Sequence, residues 1–447
     1  MTPVTREFER SHADRVNEGP GGGVSEGTPL GPAQVEACVQ RALQTAPVHD
    51  IHTHLYAPQF GDVLLWGIDD LLTYHYLVAE FFRVAGQEIT IERFWALPKP
   101  RQSDLVWKHL FVERSPISEA ARGVVTCLNK LGLEAGDRDL AGYRRYFANR
   151  SLASHLDEVL ALSGVRTIVM TNDPFEEREQ AVWRNGGVID DRFRPALRLD
   201  GLLNDWPTAG RLLRDQGYAV EPDLSGSTAE MVRRFLDAWI ARMRPLYLAA
   251  SLSPDFRYPD ESGLTRLLRD CVLPVARAHD LPVALMIGCR RQINPHLRLA
   301  GDGVGHADLA TSSNLCLAYP DVRFLCTVLA RENQHELAVI ARKFRNLHLF
   351  GCWWFANTPS LAEEITRMRV ELLGHSFTPQ HSDVRVLDQL IYKWSDTRAM
   401  LARVLTDKYA ALLAAGWPLT DSRVVCEVED FLGAGAMKFI TGATAGD

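Results

Sequence analysis

Near position 50 the chain reads Asp50-Ile51-His52-Thr53-His54-Leu55 within a short apolar run. Side chains alternate along a strand, so an extended segment here points His52 and His54 to one face and His49 to the other. Two imidazoles so spaced can chelate one divalent ion through ring nitrogens. The ion needs a further ligand, and the C-terminal part of the chain offers His381, Ser382, Asp383 and then Arg385. Asp383 also suits the N-cap of a helix formed by VRVLDQLIYKW. As a ligand it would lower the ion's net charge and leave a position open for substrate or water.

These residues lie far apart in sequence, so the fold must bring them together. Eight segments read as buried parallel strands, each a short apolar run with punctuation at its end, beginning at Val48, Val165, Arg194, Pro245, Pro282, Val322, Asn346 and His375. Helical stretches such as TAEMVRRFLDAWIARM separate most of them, and strands alternating with helices mean a parallel sheet. Eight such strands predict an α/β chain with a TIM-type (β/α)8 barrel, whose active sites gather at the strand C-termini. Closure makes the first and eighth strands neighbours, which carries Asp383 to His52 and His54.

One connection is too long for a plain crossover. The mostly helical span 60–160 after the first strand reads as an insertion covering one mouth of the barrel. The polar, glycine-rich residues 1–31 read as a disordered tail. Residues 32–447 then form the barrel unit, beginning with a helix from Pro32 to Ala46. The chain after Val386 supplies the closing helix, and VEDFLGAGAMKFITG is expected to pack outside.

Composition bounds the function. The chain has 447 residues, 46% hydrophobic and 23% charged, as globular proteins do. With 49 basic and 56 acidic residues the net charge is −7, and no long basic stripe appears, which argues against a general nucleic-acid binder. No apolar run is long enough to cross a bilayer and no signal peptide is evident, so no membrane partner and a cytoplasmic location are expected. The eight cysteines include no CxxC pair, and most sit among apolar neighbours (LCTV, VVCEV, VTCLN). They read as buried free thiols in a reducing compartment.

DIHTHL resembles the DxHxHL of the uronate isomerase family, a branch of the amidohydrolase superfamily of metal-dependent barrels. Further matches run in order along the chain. His75-Tyr76 resembles the family's HY, and Trp107, His109 and Leu110 its WxHL. Thr171, Asn172, Asp173 and Pro174 resemble TTDDP; Pro195, Arg198 and Asp200 resemble PxxRPD. Gly351, Trp353, Trp354 and Phe355 look like GxWWF, and Asp383 with Arg385 looks like DSR. Two departures stand out. The family's KWR after HY is Leu77-Val78-Ala79 here, and its LHIG on the fifth strand is Leu285-Met286-Ile287-Gly288.

The resemblance implies aldose–ketose interconversion of a hexuronate, either glucuronate with fructuronate or galacturonate with tagaturonate. Hydrolytic relatives commonly use histidines on strands five and six, and two-metal forms add a lysine or glutamate on strand four. Those strands here carry none of these, so a single divalent ion on His52, His54 and Asp383 is expected, of the zinc or manganese class. His335 reads as a surface residue.

The substrate would carry a carboxylate, a carbonyl and adjacent hydroxyls. Arg198, Arg331 and Arg385 follow strands three, six and eight, and an arginine fork can hold a carboxylate by two charge-assisted bonds. They could equally form salt bridges at the barrel mouth. The ion could chelate substrate oxygens and stabilise an enediolate. A base must move a proton between carbons two and one, and Asp383, a metal-bound hydroxide and Tyr76 are the candidates. The expected catalytic residues are therefore Asp383, Tyr76 and Arg385. His75, Arg198, Arg331, Trp353 and Trp354 are expected to bind substrate, one tryptophan stacking on the sugar. Trp107 and His109 reach over the mouth or pack as ordinary helix residues. A small sugar acid is the expected partner, and a homo-oligomer is left open. Two other readings compete: a hydrolase or lyase of the same superfamily acting on a carboxylated sugar or lactone, and a catalytically silent barrel that binds a sugar acid.

Overall fold

The computed structural model describes residues 27–186 and 189–443. Eight parallel strands curl into one sheet in chain order, giving the (β/α)8 architecture. They are Val48–Thr53, Val165–Asn172, Phe193–Arg198, Leu248–Leu252, Val283–Ile287, Phe324–Val328, Leu347–Phe350 and Phe377–Thr378. All eight expected segments contribute a strand, but HSFTPQHSD contributes only Phe377–Thr378. Pro379 follows at once and has no N–H to give to a ladder.

The seam between the first strand and the end of the eighth is closed without a ladder. Asp383 N–H donates to the His52 carbonyl at 3.2 Å, and His54 N–H donates to the Val384 carbonyl at 2.8 Å. The expected metal ligands therefore sit on the two sides of this seam.

Ile51, Val169, Ala196, Ala249, Ala284, Met286, Leu325 and Phe350 form a cluster with Ala436, Met437 and Ile440 of the C-terminal helix Gly435–Thr441. Phe439 of that helix stacks on His348 with centroids 5.0 Å apart, and Arg323 donates to the Ile440 carbonyl. His348 and Arg323 lie at strand beginnings, so this segment floors the barrel, where the sequence led us to expect it outside. A helix apolar on most sides must be buried, and the open end of the strand cluster is what buries it. Gly433 permits the approach: its φ is +110°, and a Cβ there would lie 2.1 Å from the His49 carbonyl oxygen.

Helical segments run from Pro58 to Ser163 between the first two strands. The last of them, Leu152–Ser163, is capped by the Ser151 hydroxyl and ends at Gly164 in the left-handed conformation. It follows the helix Ala141–Ala148 and leads directly into the second strand. Asp388, buried at the head of the closing helix Gln389–Ala414, ties these parts together. It accepts from Gly67 N–H at 2.8 Å and from His155 Nε2 at 2.7 Å.

The N-terminal helix forms as a 3-10 turn, Pro32–Gln34, followed by Val35–Thr45. Of the expected tail, residues 1–26 lie outside the described residues, but the stretch before the helix is held: Leu30 N–H donates to the Leu419 carbonyl at 2.9 Å. All eight cysteines are free, and Cys426 is exposed against expectation. Val424 and Val428 take the buried face of its helix, and Cys426 falls between them on the other. Among the described residues no helix is long and apolar enough to cross a membrane.

Candidate active site

The first strand and the residues after the eighth bring His52, His54 and Asp383 together, with one ligand atom of each within 4.8 Å of the others. Asp383 Oδ1 lies 3.3 Å from His54 Nε2 and 3.8 Å from His52 Nε2. His52 Nε2 and Asp383 Oδ1 are buried and have no hydrogen-bond partner among the described residues. Orphaned buried polar atoms are rare in folded proteins. Two histidine nitrogens and a carboxylate oxygen are the donor set that first-row divalent ions take, so the residues fit such an ion.

The surroundings hold this geometry. His52 Nδ1 lies 3.1 Å from the Tyr247 hydroxyl, and His54 Nδ1 lies 3.0 Å from the Thr171 hydroxyl. Asp383 adopts φ +55°, a left-handed turn that aspartate tolerates better than most residues. Asp50 braces that turn from the first strand, accepting from Ser382 N–H at 3.1 Å and from the Trp394 indole at 2.9 Å. Burial raises the Asp50 carboxyl to about 6. Burial lowers His52 to about 3, with Asp383 opposing, and lowers His54 well below its usual value, reinforced by Arg385, Arg198 and Arg291. Both imidazoles are thus neutral at neutral pH, as metal ligation requires.

The helical segments after the first strand place Tyr74, His75 and Tyr76 at the start of helix His75–Val84. His75 Nε2 is buried without a partner among the described residues, and the ring stands edge-on to Trp354 at 5.7 Å. Burial, then Tyr74 and Asp383, pushes the Tyr76 hydroxyl well above its usual range. Trp354 stacks on Phe355 at 5.0 Å, while Trp353 is buried in the barrel cluster. His381 is buried with its ring 5.3 Å from that of His52. Gly351, at φ +64°, makes room for it: a Cβ there would lie 1.9 Å from His381 Nδ1.

Three arginines act electrostatically on His54. Arg198 pairs with Asp200 at 2.7 Å. Arg385 has no ion-pair partner among the described residues. Arg291, which the sequence reading missed, pairs with Asp302 at 2.7 Å and lies 5.8 Å over the Trp354 ring. Its position just past the fifth strand was the available signal, because barrel sites gather there.

Other expectations fall elsewhere. Arg331 opens a 3-10 turn after the sixth strand and pairs with Glu364 at 2.7 Å, with both side chains more than half exposed. The turn rotates it outward to the surface. Trp107 donates to the Asp137 carbonyl at 3.0 Å and stacks on Phe111, and His109 meets Glu113 at 2.8 Å, so both pack among the helical segments after the first strand. Leu77 and Val78 are buried in the core, Met286 is buried in the barrel cluster, and His335 is exposed.

No protein-family model and no curated protein matches the chain. Solved structures do. A uronate isomerase of Bacillus halodurans shares 49% identity with a TM-score of 0.90, over 93% of this chain and 98% of that one. A uronate isomerase of Thermotoga maritima, at 14% identity and a TM-score of 0.71, spans 91% of this chain and 99% of its own. A glucuronate isomerase of Caulobacter crescentus, at 16% identity and 0.71, spans 93% and 95%. The last two likenesses concern the fold.

Proposed function

This chain belongs to the uronate isomerase family and is an aldose–ketose isomerase of uronates, and on that premise we propose that it interconverts glucuronate and fructuronate or galacturonate and tagaturonate with one divalent ion on His52, His54 and Asp383. The observation that carries the metal-dependent reading is the pair of buried, partnerless atoms, His52 Nε2 and Asp383 Oδ1, facing each other beside His54. When bound, the ion supplies a Lewis acid that polarises the substrate's carbonyl and hydroxyl oxygens.

Arg385, with no carboxylate partner among the described residues, takes the substrate carboxylate by two charge-assisted hydrogen bonds. Arg291 and Arg198 add positive field, though each is already engaged by an aspartate. His75 offers its unpartnered Nε2 to a substrate hydroxyl. Trp354, backed by Trp353 and Phe355, presents an apolar wall to the sugar's C–H face.

The second oxygen of Asp383 takes the proton from carbon two. The C–H electron pair becomes the C1=C2 bond, and O1 receives a proton from Tyr76, whose buried hydroxyl stays protonated at neutral pH. In the second half O2 returns its proton to Tyr76, and Asp383 delivers its proton to carbon one. The carbonyl has then moved from carbon one to carbon two.

Glucuronate and galacturonate deuterated at carbon two provide the test. We expect ketose product, partial transfer of label to carbon one, and a primary isotope effect where proton removal limits the rate. If neither uronate gives ketose while a lactone or amide is cleaved with metal dependence, the reading fails in favour of a hydrolase.

A further inference from the structure

The two histidines each carry a second nitrogen, and its partners determine which nitrogen is free. The Tyr247 hydroxyl lies 2.6 Å from the Ile51 carbonyl oxygen and 3.1 Å from His52 Nδ1. A carbonyl can only accept, so the one phenolic hydrogen points at Ile51. The oxygen that remains is an acceptor, and a 3.1 Å contact with His52 is a hydrogen bond only if Nδ1 carries the proton. The Thr171 hydroxyl repeats this arrangement on another strand. It donates to the Thr53 carbonyl at 2.9 Å, and its oxygen stands 3.0 Å from His54 Nδ1. In both cases a hydroxyl committed to a backbone carbonyl of the first strand demands Nδ1–H. Both Nε2 lone pairs are then left facing Asp383.

We infer that Tyr247 and Thr171 are positioning residues that fix His52 and His54 in the Nδ1–H tautomer and so prepare both Nε2 atoms to ligate a divalent cation. The inference rests on the metal part of the reading above and is independent of which uronate reacts. Tyr247 immediately precedes the fourth strand and Thr171 lies in the second, so each hydroxyl also fixes ring orientation across the barrel. Groups of this kind commonly contribute about 10–100-fold to metal affinity.

The experiment reads tautomer and metal affinity, not turnover. In metal-free protein with nitrogen-15-labelled histidine, the ring spectra of the wild type should show Nδ1–H for His52 and His54. Zinc binding, measured by competition with a chelator, should weaken about 10–100-fold in Tyr247→Phe and in Thr171→Val. Thr171→Ser, which keeps the hydroxyl, should bind as the wild type does, and the unfolding midpoint identifies any variant that is merely misfolded. Nε2–H tautomers in the wild type overturn the inference even if no variant folds. Wild-type affinity in Tyr247→Phe and Thr171→Val overturns it too, as does a wild type that binds no zinc. Absence of the tautomer preference in the wild type, with uronate turnover intact, defeats only this inference. Intact tautomers without any ketose formation defeat only the isomerase reading.

Discussion

Arg385 and Arg198 follow different strands, yet their surroundings assign them different weights. Arg198 already has its fork turned to Asp200, whereas Arg385 has none to turn to among the described residues. Lysine keeps the charge but loses the planar pair of donors. Arg385→Lys should therefore lower kcat/KM for the uronate by about 10–100-fold with an unchanged unfolding midpoint. Arg198→Lys should show its loss partly as stability, because a largely buried ion pair is disturbed. Steady-state kinetics beside thermal unfolding of the two variants checks this, and equal kinetics for Arg385→Lys and the wild type would make Arg385 a bystander. The grouping of His52, His54 and Asp383 could be read in the sequence because a two-residue period and barrel closure suffice to join them. For Arg291 the sequence offered only its place past the fifth strand; a short ribbon pairing Cys289–Arg290 with Gly303–Val304, which no local pattern announces, leads into it. Arg331 misled for a related reason: proximity to a strand end gives the neighbourhood of a side chain but not its direction.

Elements were legible where pattern and length agree. The eight apolar runs predict the sheet, and the over-long first connection predicts helices between its first two strands. The C-terminal helix shows where this stops: its apolar residues say that it is buried, but not against which surface. Its placement under the barrel depends on Gly433 lying against the first strand, and that approach can be tested. Gly433→Ala puts a methyl group 2.1 Å from the His49 carbonyl oxygen in a left-handed conformation that alanine disfavours. The obstacle is backbone, so it cannot rotate aside. A loss of about 1–3 kcal/mol is expected, seen as a lower urea midpoint with an unchanged m-value. Wild-type stability in this variant would mean that the floor is loosely seated. The helix that Asp388 heads, Gln389–Ala414, was anticipated as the closing element. Its second role, gripping Gly67 and His155 of the region before the second strand, depends on long-range contacts that no local pattern encodes.

For the molecule as a whole, buried titratable groups set the response to acid. Burial holds His49 and His348 at about 4 and His52 and His381 at about 3, against an ordinary value near 6.5. Below pH 6.5 the unfolded chain takes up protons that the folded one refuses, so stability falls as pH falls through this window. Asp50 and Glu179, raised by burial to about 6 and about 7, act in the opposite sense, stabilising at low pH and losing that contribution as pH rises through those values. Between pH 6 and about 4.5 the four histidines outweigh the two carboxyls. The metal-free protein should lose stability on acidification there, by up to about 1.4 kcal/mol per pH unit for each net proton. Urea midpoints at three pH values in that range check the sign. The seam carries a different consequence at this scale. Among the described residues two backbone hydrogen bonds join its lips where other neighbouring strands share ladders, and the proposed ligands come from both lips. A cation seated there acts as a clasp. At a hundredfold excess over its dissociation constant it adds about 2.7 kcal/mol against any opening that parts the ligands. Loading the site and latching the cylinder are then one equilibrium. Stripping the ion would let the amide hydrogens of His54 and Asp383 trade with solvent sooner, while those in mid-sheet keep their protection.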